Sequence, residues 1–149
     1  MSVTIKDRKI AWDKFKKSMR EASKKHSKRA EVGIFGNQGA DLIEIAVFNE
    51  FGTATIPERS FLRSAIAENK SKLINKTAEL IVLMVKGNIT PQNLLIRLGE
   101  YGRSLVVEKI NSGEFEPLAP ATIKRKKSDV PLIETGRLRR NITSRVGKA

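Results

Sequence analysis

Leu80-Ile81-Val82-Leu83-Met84-Val85-Lys86-Gly87-Asn88-Ile89-Thr90-Pro91 closes one helix and opens another. Gly87 supplies a C-cap, because glycine takes the left-handed conformation that ends helices at little steric cost. Thr90 then offers an N-cap oxygen, and Pro91 suits the first helical position, which needs no N–H partner. Upstream, Ser60 is an N-cap residue type, and Leu62, Ala65, Ile66, Leu73, Leu80 and Met84 follow at helical spacing, predicting one helix from Ser60 to Val85. Its second half is apolar all round from Leu80 to Val85, so deep burial is expected there. Downstream, Leu94, Leu98, Tyr101, Leu105 and Val106 carry a second helix to about Ile110. The two make a long helical hairpin. Gly99 and Gly102 each cost about 1 kcal/mol of helix propensity against alanine. They point to another backbone packed closely at that level, the alternative being a tolerated weak spot.

Outside the hairpin the periodicity changes. Ala30 to Phe35 alternates, with Val32 and Ile34 on one side, and runs into Gly36-Asn37-Gln38-Gly39, a strand followed by a turn. Asp41 with Glu44 imitates a capping box ahead of Ile45-Ala46-Val47-Phe48, which favours a short helix over a buried strand. Gly52 to Pro57 must be a loop, since Pro57 forces Ile56 into an extended conformation. Asn141 to Val146, with Ile142, Ser144 and Val146 on one face, reads as a closing strand and an antiparallel partner for the strand near Val32. The expectation is a single α+β domain over residues 1–149, a small antiparallel sheet packed against several helices.

At 149 residues the chain has length for one core, and with aromatics at only 5% that core is aliphatic. There is no cysteine and a single histidine, His26, so disulfides, thiolate nucleophiles and multi-histidine metal sites are ruled out. No nucleophile is paired with a visible base, and Gly33, Gly36 and Gly39 fit neither a dinucleotide fingerprint nor a P-loop. Neither enzyme activity nor a cofactor is expected. The longest apolar run is far below a membrane span and the first twenty residues are charged throughout, so no membrane association and synthesis in the cytoplasm are expected.

The net charge of +13 is unevenly placed. Residues 1–30 hold eleven Lys or Arg against three acids, a net +8; residues 31–120 hold nine against eleven, −2; residues 121–149 hold nine against two, +7. Basic ends around a near-neutral body point to an acidic counterpart, either nucleic-acid phosphate or an acidic protein surface. Within residues 1–29, Trp12, Phe15, Met19, Ala22 and His26 form one stripe of a basic amphipathic helix. The stripe either docks on the core with its lysines solvated, or presents them to phosphates. Residues 112–130 are polar and contain Pro117, Pro120 and the run Lys124-Arg125-Lys126-Lys127, the pattern of a mobile basic loop.

Arg59 and Arg63 flank the start of a predicted helix, where the macrodipole disfavours each positive charge by about 0.3–1 kcal/mol. With Phe61 and Leu62 between them, they offer two forked donors and two apolar anchors, the residue types found at interface hot spots. The competing assignment puts Phe61 and Leu62 in the domain's own core and pairs the arginines with Glu50 or Glu58.

Three blocks of sequence resemble those of phage tail-completion and head–tail joining (neck) proteins of the virion-morphogenesis type. In the first, Asn49-Glu50-Phe51-Gly52-Thr53 followed by Ile56-Pro57-Glu58-Arg59-Ser60-Phe61-Leu62-Arg63 is similar to that family's acidic-aromatic-Gly-Thr and Pro-x-Arg-x-Phe-Leu-Arg signature. In the second, Phe115-Glu116-Pro117-Leu118-Ala119-Pro120-Ala121-Thr122-Ile123, with Lys124 to Lys127 behind it, is similar to Pro-Leu-x-Pro-x-Thr-x-x-x-Lys. The third, Pro131-Leu132-Ile133-Glu134-Thr135-Gly136-Arg137-Leu138 through Ile142, resembles a Pro-Leu-x-x-Thr-Gly-x-Leu-x-x-Ser-Ile ending, with Thr135, Gly136 and Leu138 as its structural motif. Ser60 stands where many relatives carry proline, and Asn141 where serine is common.

The resemblance implies an α+β, non-enzymatic protein of the virion, at the tail or the head–tail junction of a tailed phage or prophage. It implies assembly as a homo-oligomeric ring against connector or tail-tube proteins, with DNA passing through. On that basis Phe51, Gly52, Thr53, Arg59, Phe61, Leu62 and Arg63 are expected to form an assembly interface. The alternative is a non-specific nucleic-acid-binding protein that uses its basic termini.

Overall fold

A computed structural model describes residues 10, 12–14, 16–17, 20, 28–36, 39–118, 123–124, 131–132 and 136–148. In chain order it contains β1 (Lys28–Gly33), α1 (Ala40–Phe51), α2 (Leu62–Glu68), α3 (Lys70–Val85), α4 (Pro91–Ser112), the short α5 (Arg137–Arg140) and β2 (Thr143–Lys148). The fold is α+β, a two-stranded antiparallel sheet packed with helices and including the expected hairpin, α3 against α4.

The hairpin turn follows its sequence signals. Gly87, at φ 75°, ends α3, with its N–H on the Met84 carbonyl and the Asn88 N–H on that of Leu83. Thr90 Oγ1 accepts from the Asn93 N–H at 3.1 Å and Pro91 takes the first helical position. The 22 residues of α4 extend about 33 Å and link two aliphatic clusters. Near its start, Leu94 joins Leu80, Met84 and Ile89. Toward its end, Val106 and Ile110 join Leu42, Ala46, Phe61, Ala65, Leu132, Leu138 and Ile142. Between them the sheet lies across α4, where a Cβ on Gly99 would come within 3.2 Å of the Ser144 side chain and one on Gly102 within 3.2 Å of Val32. A close approach is present at these glycines and the sheet makes it, but through the side chains of Ser144, Ala30 and Val32 and not through the other backbone that was expected.

Both strands are displaced by two residues toward the basic ends. β1 starts at Lys28, so the basic N-terminal helix does not extend to residue 29, and β2 runs on to Lys148. In the register Arg29 faces Gly147 and Glu31 faces Arg145. Alternation of apolar residues overlooked Lys28, Arg29 and Lys148 because a ladder needs only backbone groups. Glu31 holds the like charges together, accepting from Arg29 at 2.7 Å and from Arg145 at 2.6 Å.

Three further expectations change. The single helix from Ser60 breaks at Asn69 (φ −104°, ψ 19°), whose side-chain amide donates to the Ala65 carbonyl at 2.9 Å, in place of the backbone N–H that would continue the helix. Asp41 makes no capping box, since Gly39 is the cap residue and no side chain caps α1. The segment Leu80–Val85 buries only one side: Leu80 and Met84 are buried, while Ile81, Val82 and Val85 are exposed.

Of the N-terminal stripe, Trp12 is described and exposed, whereas Phe15, Met19, Ala22 and His26 lie outside the described residues. The described residues 10, 12–14, 16–17 and 20 are helical, and the stem of Lys14 lies over Gly87.

Candidate functional site

The segment from Asn49 to Arg63 folds into a corner organised by one carboxylate. Glu50, in the last turn of α1, is only 4% exposed. Its Oε2 accepts the N–H groups of Phe61 and Leu62 at 2.9 Å, and its Oε1 that of Arg63 at 2.9 Å. These are the unpaired donors that every helix start carries, here of α2, and a carboxylate is favoured at this positive end. Oε1 also accepts from Ser60 Oγ and from Arg63 Nε, both at 3.1 Å. Glu50 therefore caps α2 from another helix, and Ser60 donates to the cap instead of being one.

The loop between the helices is fixed at both ends. Gly52 sits at φ 72°, and a Cβ there would meet the Glu58 nitrogen at 3.0 Å and the Ile56 oxygen at 3.2 Å, so the position requires glycine. Thr53 Oγ1 accepts the N–H groups of Thr55 and Ile56, and the Thr53 N–H donates to the Ile56 carbonyl at 2.8 Å. Arg63 reaches back to the Glu50 carbonyl and to Glu58, each at 2.7 Å, while its guanidinium stands 4.6 Å from the centre of the Phe51 ring.

Arg59 ties this corner to the second block. It is 5% exposed and donates from Nε to the Glu116 carbonyl at 2.8 Å and from Nη2 to that of Pro117 at 3.1 Å. The start of the expected mobile loop is thus anchored. Ser112 belongs to α4, and Leu118 is buried. Lys124 is exposed in a helical turn with Ile123, whereas Arg125, Lys126 and Lys127 lie outside the described residues. The third block closes on the same core, through Leu132, Leu138 and Ile142, with Gly136 at φ 68° before α5. Thr135 lies outside the described residues. Arg137 pairs with both oxygens of Asp41 on α1, and that contact holds the Asp41 carboxyl below its ordinary range.

These positions correct the expected interface. Phe61 is fully buried and Arg59 nearly so, because both are consumed by the domain's own packing. Gly52 and Leu62 are half-buried, and Phe51, Thr53 and Arg63 remain exposed, Phe51 at 59%. Arg63, Leu62 and Ile66 also line a shallow apolar groove with Val32, Ala67 and Val106.

Among the described residues, most of the exposed large apolar side chains lie elsewhere, on two helices. On α1, Leu42 and Ala46 face the core while Ile45, Val47, Phe48 and Phe51 face solvent. On α3, Ile74 (58% exposed), Ala78, Ile81, Val82 (50%) and Val85 share the side opposite Leu80 and Met84. The residues of both faces were visible in the sequence as more apolar positions than one buried side of a helix can take up. Among the described residues no three His, Cys, Asp or Glu side chains group in a way that would hold a metal ion, and no helix is long and apolar enough to cross a membrane. No family model, curated protein or solved structure matches the chain.

Proposed function

We propose that this chain is a non-enzymatic assembly protein of a tailed phage or prophage, which completes the tail or joins it to the head connector as an oligomeric ring. The observation that carries the reading is the convergence of the three family-like blocks. The first is locked by Glu50, Arg59 clamps the second to it, and the third supplies Leu138 and Ile142 to the core that holds Phe61. Motifs that meet in space behave as one scaffold, and this supports reading the three blocks together. Two exposed apolar helix faces on a small domain further favour a protein that works in contact with others.

A second reading, non-specific nucleic-acid binding, draws on the exposed Lys14, Lys16, Lys17 and Arg20, of which Lys14 and Lys17 lie beside the turn at Gly87. Size-exclusion chromatography with light scattering, with and without duplex DNA at low and physiological salt, separates the two. Concentration-dependent oligomers indifferent to DNA at physiological salt are the expected result. A monomer that shifts onto DNA and is released by salt would replace the assembly reading with the second.

A further inference from the structure

Resting on the assembly reading, we infer that copies of this chain pair head to tail, the exposed face of α1 on one copy seating against the exposed face of α3 on the next. The two faces have matching geometry. On α3, Ile74, Ala78, Ile81 and Val85 follow one another at steps of four, three and four, the spacing that lets one helix lie along another. On α1, Ala40, Glu44, Val47 and Phe51 repeat the same steps, with Phe48 and Ile45 alongside. All of these residues are exposed. Each helix is held to its own core by the opposite side, α1 through Leu42 and Ala46 and α3 through Leu80 and Met84, in different clusters. Among the described residues, neither outer face packs against a core of its own.

Charge selects the pairing. Residues 36–58 contain no Lys or Arg and four acids, in a chain of net charge +13, and the charges exposed on α1 are Asp41 and Glu44. Asp41 is matched by Arg137, which leaves Glu44 in the middle of the apolar face. The α3 face is bracketed by exposed lysines, Lys70 one turn before Ile74 and Lys86 directly after Val85. An antiparallel pair of two α3 helices would set Lys70 of each copy against Lys86 of the other, and two α1 faces would bring acid against acid. Only the mixed pair joins unlike charges. A contact between two different patches is heterologous, so it propagates from copy to copy and closes as a ring or extends as a filament. One pair of three- to four-turn helices buries less than about 1,200 Å², so each contact is weak and closure into many copies makes it stable.

The test uses two variants of the full chain, Val47→Lys on the α1 face and Ile81→Lys on the α3 face, after circular dichroism has shown each to be folded. Light scattering should find wild type in concentration-dependent assemblies and each variant alone at the 16.6 kDa of one chain, a loss of at least tenfold in association. At millimolar concentration, where a single weak contact is populated without closure, their equimolar mixture should reach and stop at two chains, because one intact α1 face and one intact α3 face remain. Should either variant unfold, Glu44→Lys replaces Val47→Lys and the double change Lys70→Glu with Lys86→Glu replaces Ile81→Lys, all at exposed charges. A mixture that stays monomeric while wild type assembles would overturn the pairing and leave the assembly reading standing, as would variants that assemble like wild type. A wild type still monomeric at millimolar concentration would also overturn it, and self-assembly without a partner with it.

Discussion

Glu50 and Val82 lie on two helices that each leave apolar residues in solvent, and they meet opposite fates. Around Glu50 the chain satisfies itself, since one carboxylate collects three backbone N–H groups, a hydroxyl and a guanidinium, and among the described residues no buried side-chain polar atom lacks a partner. Around Val82 the chain leaves an aliphatic stripe in water. The motif-rich region is therefore mostly scaffold, and the exposed stripe on α3 carries ordinary aliphatic residues that no motif marks. A signature of Gly, Arg, Phe and acid is spent on building the corner, where each residue type has a geometric task that no other fulfils.

Mutation should break this contrast most forcefully at the cap. Glu50→Ala leaves three N–H groups and the Arg63 Nε without their acceptor, and since each unsatisfied buried donor costs about 1–3 kcal/mol, urea unfolding should register a loss of about 3 kcal/mol or more; a loss below about 1 kcal/mol would show that α2 does not depend on it. Arg59→Met strands the carbonyls of Glu116 and Pro117, with an expected loss of about 1.5–3 kcal/mol, and it should speed limited proteolysis around residues 113–118. For Gly52→Ala, whose Cβ meets backbone at φ 72°, a loss of about 1–3 kcal/mol is expected. The contrast sharpens at Val82→Lys, which should leave unfolding within about 0.5 kcal/mol of wild type while lowering self-association.

Acid titration gives the smallest effect and a sign that can be checked. Hydrogen bonds from Arg137 to Asp41, and from Arg29 and then Arg145 to Glu31, hold these carboxyls below their ordinary range. Their stabilisation is complete above the ordinary carboxylate value and is lost as pH falls through the depressed folded value. The difference in urea midpoint between wild type and Asp41→Asn should thus be present at pH 7 and shrink as pH falls below about 4. A difference that grew toward low pH would exclude the ion pair as its source.

Much of the scaffold was legible from residues alone. Gly87, Thr90 and Pro91 gave the hairpin turn because caps act on their nearest neighbours, and Gly99 and Gly102 flagged a close approach because only an absent side chain admits one. Asn69 was the exception among local signals: asparagine interrupts a helix only where its amide wins the carbonyl one turn back, and periodicity does not register that competition.

Sequence by itself determined the hairpin, the helix before Gly52, the strand pair, their order and the aliphatic character of the core to within a few residues, since these follow from spacing, caps and composition; it did not show the break at Asn69 or the helix Arg137–Arg140. Tertiary structure alone decided that Glu50 caps a helix beginning twelve residues later, that Arg59 is buried on the carbonyls of Glu116 and Pro117, and which side of Leu80–Val85 stays in water. A carboxylate, a guanidinium and an aliphatic stripe have no preferred partner along the chain. Their roles are set by what folding carries to within about 3 Å of them, and by how much apolar surface a small domain has left to cover each face.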